Sequence, residues 1–116
     1  MRQFIESFSH AFDGLCFVWK EEKNFRIQVI IGILVIVVMG IFGFSYLEMS
    51  MFIVAITLVL TAETINTTFE DTLNKIQPEH DPVVGKIKDI SAGIVVLCVL
   101  GAICIGILIF LSHFSF

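Results

Sequence analysis

A polar stretch, TAETINTTFED at residues 61–71, directly follows the long apolar run MSMFIVAITLVL. At 3.6 residues per turn, Glu63, Asn66, Glu70 and Asn74 share one face of a helix. If the apolar run crosses a bilayer, Glu63 lies just inside the hydrocarbon region, and Glu70 lies about two turns further, at the water interface. A carboxylate at membrane depth costs on the order of 3 kcal/mol, so it marks function by default.

Two acids at different depths suit different chemical steps. Glu63, which is partly desolvated, can take a proton from a hydroxyl as a general base. Glu70, nearer water, stays ionised and can hold a divalent cation. Two other interpretations of Glu63 stay open at this point. It either only hydrogen-bonds a neighbouring helix, or it is the proton or cation site of a small oligomeric channel or transporter.

Composition restricts the class of protein. The chain has 116 residues, of which 57% are hydrophobic and 16% charged, and this balance is typical of an integral membrane protein. The net charge is −4 and the seven basic residues form no long run, so nucleic-acid binding is not indicated. The three cysteines form no CxxC pair, and we interpret them as buried hydrophobes.

The elements that must position these acids are helices. Three stretches are apolar and long enough to cross a bilayer: residues 27–47, 49–69 and 90–112. Residues 71–89 are predicted to form a polar loop, and Pro78 and Pro82 end the second helix. The sequence therefore predicts an all-α membrane protein with one domain over residues 1–116.

The segment of residues 1–22 differs from the three spans. Phe4, Phe8 and Phe12 recur every four residues, and charged or polar side chains occupy the opposite side. This pattern predicts an amphipathic helix that lies in the membrane interface. The helix is either an anchor or a lid over a site at the cytoplasmic surface.

The basic residues predict the orientation. All seven Lys and Arg residues either precede the first span or lie between the second and the third. By the positive-inside rule, the N-terminal segment and the 71–89 loop face the cytoplasm, and the C-terminus lies outside.

Charged residues flank the spans on the cytoplasmic side. Glu22 lies in WKEEKNFRIQ, where the first span begins, and belongs either to a charged collar or to a metal site with Glu70. Lys88 lies in GKIKD at the start of the third span. It either anchors the helix or neutralises phosphate charge.

Taken together, these motifs resemble the small bacterial lipid kinases of the diacylglycerol kinase and undecaprenol kinase family. E-x-x-N-[ST]-x-x-E occurs at residues 63–70, N-F-R at 24–26, H-D-P at 80–82 and K-D-x-x-A-G at 88–93. They follow the family's order, on three spans after an amphipathic helix, and the resemblance covers almost the whole chain.

The resemblance implies a homotrimer in the bacterial inner membrane, with active sites shared between protomers. It implies transfer of the γ-phosphate of ATP, with Mg²⁺, to the hydroxyl of a membrane lipid. Glu63 matches the general base, and Glu22 and Glu70 match the metal ligands. Asn24, Arg26, Glu63 and Asn66 match positions that bind the lipid substrate. The positions that match nucleotide contacts are His10, Glu22, Glu70, Glu79, His80, Asp81, Lys88 and Asp89.

The chain departs from the family pattern at three positions. Many members carry Asp in place of Asn74, some carry a carboxylate in place of Gln28, and an aromatic residue often stands in place of His10. The sequence E-T-I-N-T and the H-D-P loop resemble the undecaprenol branch of the family. The diacylglycerol branch more often has E-x-L-N-S.

Overall fold

The computed structural model describes residues 1–115 and contains four α-helices. The helices are α1 (Arg2–Glu21), α2 (Lys23–Ile41), α3 (Tyr46–Ile76) and α4 (Pro82–Phe114). Helices α2, α3 and α4 are long and apolar enough to cross a membrane. The all-α architecture with one additional N-terminal helix is therefore confirmed.

Helix α1 is amphipathic and is not part of the packed bundle. The rings of Phe4, Phe8 and Phe12 form a row, with centroids 6.4 and 5.7 Å apart. Arg2 and Glu6 form an ion pair of 3.5 Å on the other side of the helix. No residue of α1 is buried against the rest of the described chain. Its apolar row is thus free to lie in a membrane interface.

Helix α2 ends at Ile41, so the prediction of a first span reaching residue 47 was wrong. Gly43 has a φ of 74°, a left-handed conformation that suits glycine. The N–H of Phe44 donates to the carbonyl of Met39 at 3.0 Å, and that of Gly43 donates to Gly40 at 3.3 Å. This pair of bonds is a Schellman motif, which terminates the helix inside the apolar run.

Helix α3 begins at once after this turn, at Tyr46 rather than at the predicted residue 49. The Ser45 hydroxyl accepts a hydrogen bond of 3.1 Å from the Glu48 N–H. The Glu48 carboxylate accepts one of 2.9 Å from the Ser45 N–H. This capping box satisfies two backbone donors that a helix start otherwise leaves free.

The polar connection between α3 and α4 is shorter than predicted, because only residues 77–81 lie outside helices. The carboxylate of Asp81 caps α4, accepting from the N–H groups of Val83 at 2.8 Å and Val84 at 3.2 Å. Pro82 takes the first helical position, where its missing N–H leaves no bond unmade. Most of the predicted 71–89 loop is therefore helical.

Helix α3 is the centre of the bundle, since both α2 and α4 pack against it. Its buried face includes Ala55, Val59 and Ala62. Gly32 of α2 lets the two backbones approach closely, because a Cβ there would lie 3.0 Å from the side chain of Ile56. Helices α3 and α4 have 31 and 33 residues, so at about 1.5 Å per residue they extend beyond a bilayer core of about 30 Å.

Candidate active site

The buried carboxylate of Glu63 lies at the interface between α2 and α3. Only 5% of the residue is exposed. The side-chain amide of Gln28, in the second turn of α2, donates to Glu63 Oε2 at 3.5 Å. The two residues meet because α2 starts, and α3 approaches its end, on the side of the bundle that carries the basic residues. A carboxylate with one amide donor, otherwise shielded from water, can accept a proton from a hydroxyl placed beside it.

Further polar side chains are buried on α3 and α4. Thr67 follows Glu63 by one helical turn and is 6% exposed, and Ser91 of α4 is 4% exposed. Neither hydroxyl has a hydrogen-bond partner within residues 1–115, and neither does the carbonyl oxygen of the Gln28 side chain. Buried polar atoms are normally paired, so unpaired ones fit a site that is completed by a polar ligand.

The predicted metal ligands share one negative region with the predicted base. Glu22 joins α1 to α2. Its pKa is raised, first by partial burial and then by the carboxylates of Glu70, Glu63 and Asp71. Every one of these influences opposes ionisation of Glu22. A divalent cation between Glu22 and Glu70 would relieve this repulsion.

A magnesium ion that is bound together with phosphate would need few protein ligands. Within residues 1–115, no three His, Cys, Asp or Glu side chains lie close enough to hold a metal by themselves. Magnesium is usually bound by one or two carboxylates plus the phosphates of a substrate, rather than by a complete protein cage. A pair of carboxylates is therefore the expected protein contribution to such an ion.

A polar cavity of about 350 Å³ opens where α3 connects to α4. Four of the positions that match nucleotide contacts line it: Glu79, His80, Asp81 and Lys88. The ammonium group of Lys88 donates a hydrogen bond to Asn74 Oδ1, which ties it to α3. The cavity thus offers a fixed positive charge beside a short loop, a combination that can bind phosphate.

The structure does not bring every predicted site residue together. His10 is exposed on α1, Asn24 is exposed in the first turn of α2, and Asp89 is exposed beside Lys88. Asn66 is partly buried on α3. Arg26 donates to two main-chain carbonyl groups at the end of α1.

Several polar partners were not found from the sequence. These are the amide of Gln28, the hydroxyls of Thr67 and Ser91, and the contact of Asn74 with Lys88. One signal was available for Ser91, which stands three residues after Lys88 and so shares a helix face with it. The pairing of Gln28 with Glu63 joins residues 35 positions apart and depends on how two helices are rotated against each other.

Comparison with known proteins agrees with the motifs. The sequence profile of the family described as prokaryotic diacylglycerol kinase matches residues 9–110. The chain belongs to this family. The resemblance stated from the motifs is thereby confirmed, and with it the enzyme class of a lipid kinase in a multi-pass membrane protein.

Three relatives align with nearly the whole length of this chain. It is 29% identical over 111 residues to the undecaprenol kinase of Bacillus subtilis, across 96% of this chain and 90% of that one. It is 26% identical over 112 residues to the diacylglycerol kinase of Haemophilus influenzae, across 95% of each chain. It is 22% identical over 113 residues to the diacylglycerol kinase of Escherichia coli, across 97% of this chain and 93% of that one.

Proposed function

We propose that the protein transfers the γ-phosphate of Mg-ATP to the hydroxyl of a membrane lipid, with Glu63 as the general base. The observation that carries this proposal is the position of Glu63. Its carboxylate is buried, bonded to Gln28, and lies within the electrostatic reach of Glu22, on the side where the predicted metal ligands gather.

The depth of these groups suits a reaction between a lipid and a soluble nucleotide. A lipid alcohol keeps its tail in the bilayer, while ATP stays in water, so the two meet at the membrane surface. Glu63 lies inside the bundle, and the cavity beside Lys88 lies at its polar end. Phosphoryl transfer depends mainly on positioning and on neutralising charge, and this arrangement supports both.

In the proposed step, Glu63 takes the proton of the lipid hydroxyl as the hydroxyl oxygen attacks the γ-phosphorus. The bond between the γ-phosphorus and the bridging oxygen breaks, and ADP leaves. The Gln28 amide orients the Glu63 carboxylate by its hydrogen bond. Glu22 and Glu70 would hold Mg²⁺, which neutralises phosphate charge when bound.

The nucleotide would lie over the connection between α3 and α4. Lys88 would face its phosphates, and Glu79, His80 and Asp81 would line the rest of the cavity. One carboxylate oxygen of Asp81 already caps α4, so Asp81 positions the loop as well as facing the ligand. His10 and Asp89 are assigned nucleotide contacts on the family resemblance alone.

Undecaprenol is the favoured lipid, and diacylglycerol is the alternative. The E-T-I-N-T sequence supports this choice, as does the similarity to a relative that is named undecaprenol kinase. Asn24 and Asn66 would contact the lipid head. We further propose a homotrimer with shared active sites. The N-terminus and residues 71–89 would lie in the cytoplasm, and the C-terminus outside.

The experiment is phosphate transfer from labelled ATP with Mg²⁺ in mixed micelles, with undecaprenol and diacylglycerol offered separately. Label in undecaprenol supports the proposal in full, and label only in diacylglycerol replaces the substrate. If a folded protein labels neither lipid, the kinase proposal is contradicted. Proton flux across vesicles made with that protein would then favour a channel or transporter.

A further inference from the structure

One side chain links the surface helix to the first membrane helix. Arg26 of α2 donates from Nη1 to the main-chain oxygen of Trp19 at 2.7 Å and to that of Lys20 at 2.8 Å. Both oxygens belong to the last turn of α1, where helical carbonyl groups have no partner within the helix. A cation also complements the negative end of the helix dipole. Arg26 therefore caps α1 from outside.

Glu22 is the residue that this cap holds in place. It is the only residue between α1 and α2, and its φ of −105° and ψ of 104° are extended, so the chain changes direction there. Its own side chain makes no capping hydrogen bond to α2. The location of the Glu22 carboxylate is therefore set by the angle between α1 and α2.

Two main-chain hydrogen bonds at Glu22 also cross the junction: its N–H donates to α1 at 2.8 Å, and its carbonyl accepts from α2 at 3.2 Å. Beyond these, little else in the described chain fixes that angle. Helix α1 buries no residue, so packing within the protomer does not hold it. Among residues 1–115, the side-chain hydrogen bonds between α1 and α2 are the two made by Arg26. The carboxylates of Glu70, Glu63 and Asp71 repel Glu22. Without the cap, this repulsion would favour movement of Glu22 away from α3.

We infer that Arg26 is a positioning residue, which locks the α1–α2 junction and so keeps Glu22 close enough to Glu70 for both to bind one Mg²⁺. The inference rests on the proposed function, since it takes Glu22 and Glu70 as the metal pair. It also replaces the role that the family resemblance implied for Arg26. The guanidinium acts on the backbone of α1 rather than on the lipid.

The test is the Mg²⁺ dependence of phosphate transfer in Arg26→Gln and Arg26→Lys, measured on folded protein. Loss of a group that orients a metal ligand typically weakens metal affinity by about tenfold or more, so Arg26→Gln should raise the half-saturating Mg²⁺ concentration by about tenfold. The KM for the lipid should stay unchanged. Because one nitrogen of Arg26 makes both bonds, Arg26→Lys should recover most of the affinity.

A second readout does not depend on activity. Trp19 is the single tryptophan of the chain, and its own carbonyl accepts one of the two bonds. In Arg26→Gln without ATP or Mg²⁺, acrylamide should quench Trp19 fluorescence more strongly than in the wild type. Arg2→Gln is the matched control, because it removes an exposed arginine from the other end of α1 and should change neither readout.

Two results would overturn the inference. The first is a higher KM for the lipid with unchanged Mg²⁺ dependence, which would show that Arg26 binds the lipid substrate. The second is lower thermal stability of Arg26→Gln with unchanged Mg²⁺ dependence and unchanged quenching. Glu22→Gln and Glu70→Gln separate this failure from that of the proposed function. If those variants keep the wild-type Mg²⁺ dependence, the metal pair itself is wrong.

Discussion

The side-chain amide of Gln28 on α2 donates a hydrogen bond of 3.5 Å to the buried carboxylate of Glu63 on α3. This contact fixes one carboxylate oxygen and leaves the other available to a ligand. It also links the two helices at the depth where the lipid hydroxyl is proposed to react.

Replacement of Gln28 by leucine should lower kcat with little change in folding. At 3.5 Å this hydrogen bond is long, so its contribution is about 1 kcal/mol, and loss of the amide donor should reduce kcat by about fivefold. Steady-state kinetics in mixed micelles measures this effect. Gln3→Leu, on exposed α1, is the matched control and should keep wild-type kcat. Wild-type kcat in Gln28→Leu would show that the amide does not orient the base.

Glu22→Gln should stabilise the protein when Mg²⁺ is absent. Burial and the neighbouring carboxylates raise the pKa of Glu22, so ionisation of this group opposes folding. At a pH below the ordinary Glu pKa the carboxyl is neutral in both states, and the penalty is absent. It develops as pH rises through the raised pKa. The variant should therefore unfold at a higher temperature than the wild type at neutral pH, and at the same temperature in acid.

The same variant should lose the response to the metal. Mg²⁺ with a nucleotide should raise the unfolding temperature of the wild type more than that of Glu22→Gln. Glu21→Gln removes an adjacent exposed acid and should keep most of the wild-type response. If Glu22→Gln were less stable than the wild type at neutral pH without Mg²⁺, the proposed repulsion would be wrong.

A contact at the opposite end of the bundle should affect stability and leave catalysis unchanged. The ring of His113 stacks on Phe44 with centroids 3.8 Å apart, and its Nδ1 lies 3.5 Å from the Glu48 carboxylate. His113→Ala removes both contacts, which join the end of α4 to the α2–α3 turn and to the start of α3. Since a stacked pair contributes about 1 kcal/mol, the unfolding temperature should fall.

The control for this variant is Ser115→Ala, which alters the exposed end of the same helix. Its unfolding temperature should match that of the wild type, and both variants should keep wild-type kcat. A reduced kcat in folded His113→Ala would contradict the separation of this contact from the active site.

The α2–α3 turn gives a further prediction about stability. Gly43 has a φ of 74°, which a residue with a Cβ adopts only with strain, so Gly43→Ala should destabilise the fold by about 1 kcal/mol. Denaturant or thermal unfolding measures this change. Gly14→Ala is the control, because Gly14 lies inside α1 with open space at its Cβ, where alanine favours the helix. Equal stability of Gly43→Ala and the wild type would contradict the role of this turn.

The helices could be predicted from hydropathy, but their ends could not. The apolar run continues through Phe42, Phe44 and Leu47, so hydropathy alone predicts a first span that extends beyond the actual end of α2. The actual end depends on a backbone conformation at Gly43. The polarity of residues 71–89 predicts a loop, yet most of these residues are helical. Polarity only places a segment outside the bilayer, and it leaves the segment free to remain helical.

The candidate site could be predicted in part. The shared helix face of Glu63 and Glu70 depends on spacing within one helix, and the sequence contains it. The contacts of Glu63 with Gln28, and of Arg26 with the end of α1, depend on how separate helices meet. A one-dimensional pattern does not specify those angles, so these partners required the structure.

The most direct test of the central proposal is turnover by Glu63→Gln, compared with Glu48→Gln at the other end of the same helix. Glutamine keeps the size of the side chain but cannot take the hydroxyl proton. General-base catalysis contributes about 10²- to 10⁴-fold, so we expect phosphate transfer by Glu63→Gln to fall by about 10³-fold, with an unchanged elution volume in size-exclusion chromatography. Glu48→Gln should keep wild-type turnover. Retention of wild-type turnover by folded Glu63→Gln would contradict the assignment of Glu63 as the base.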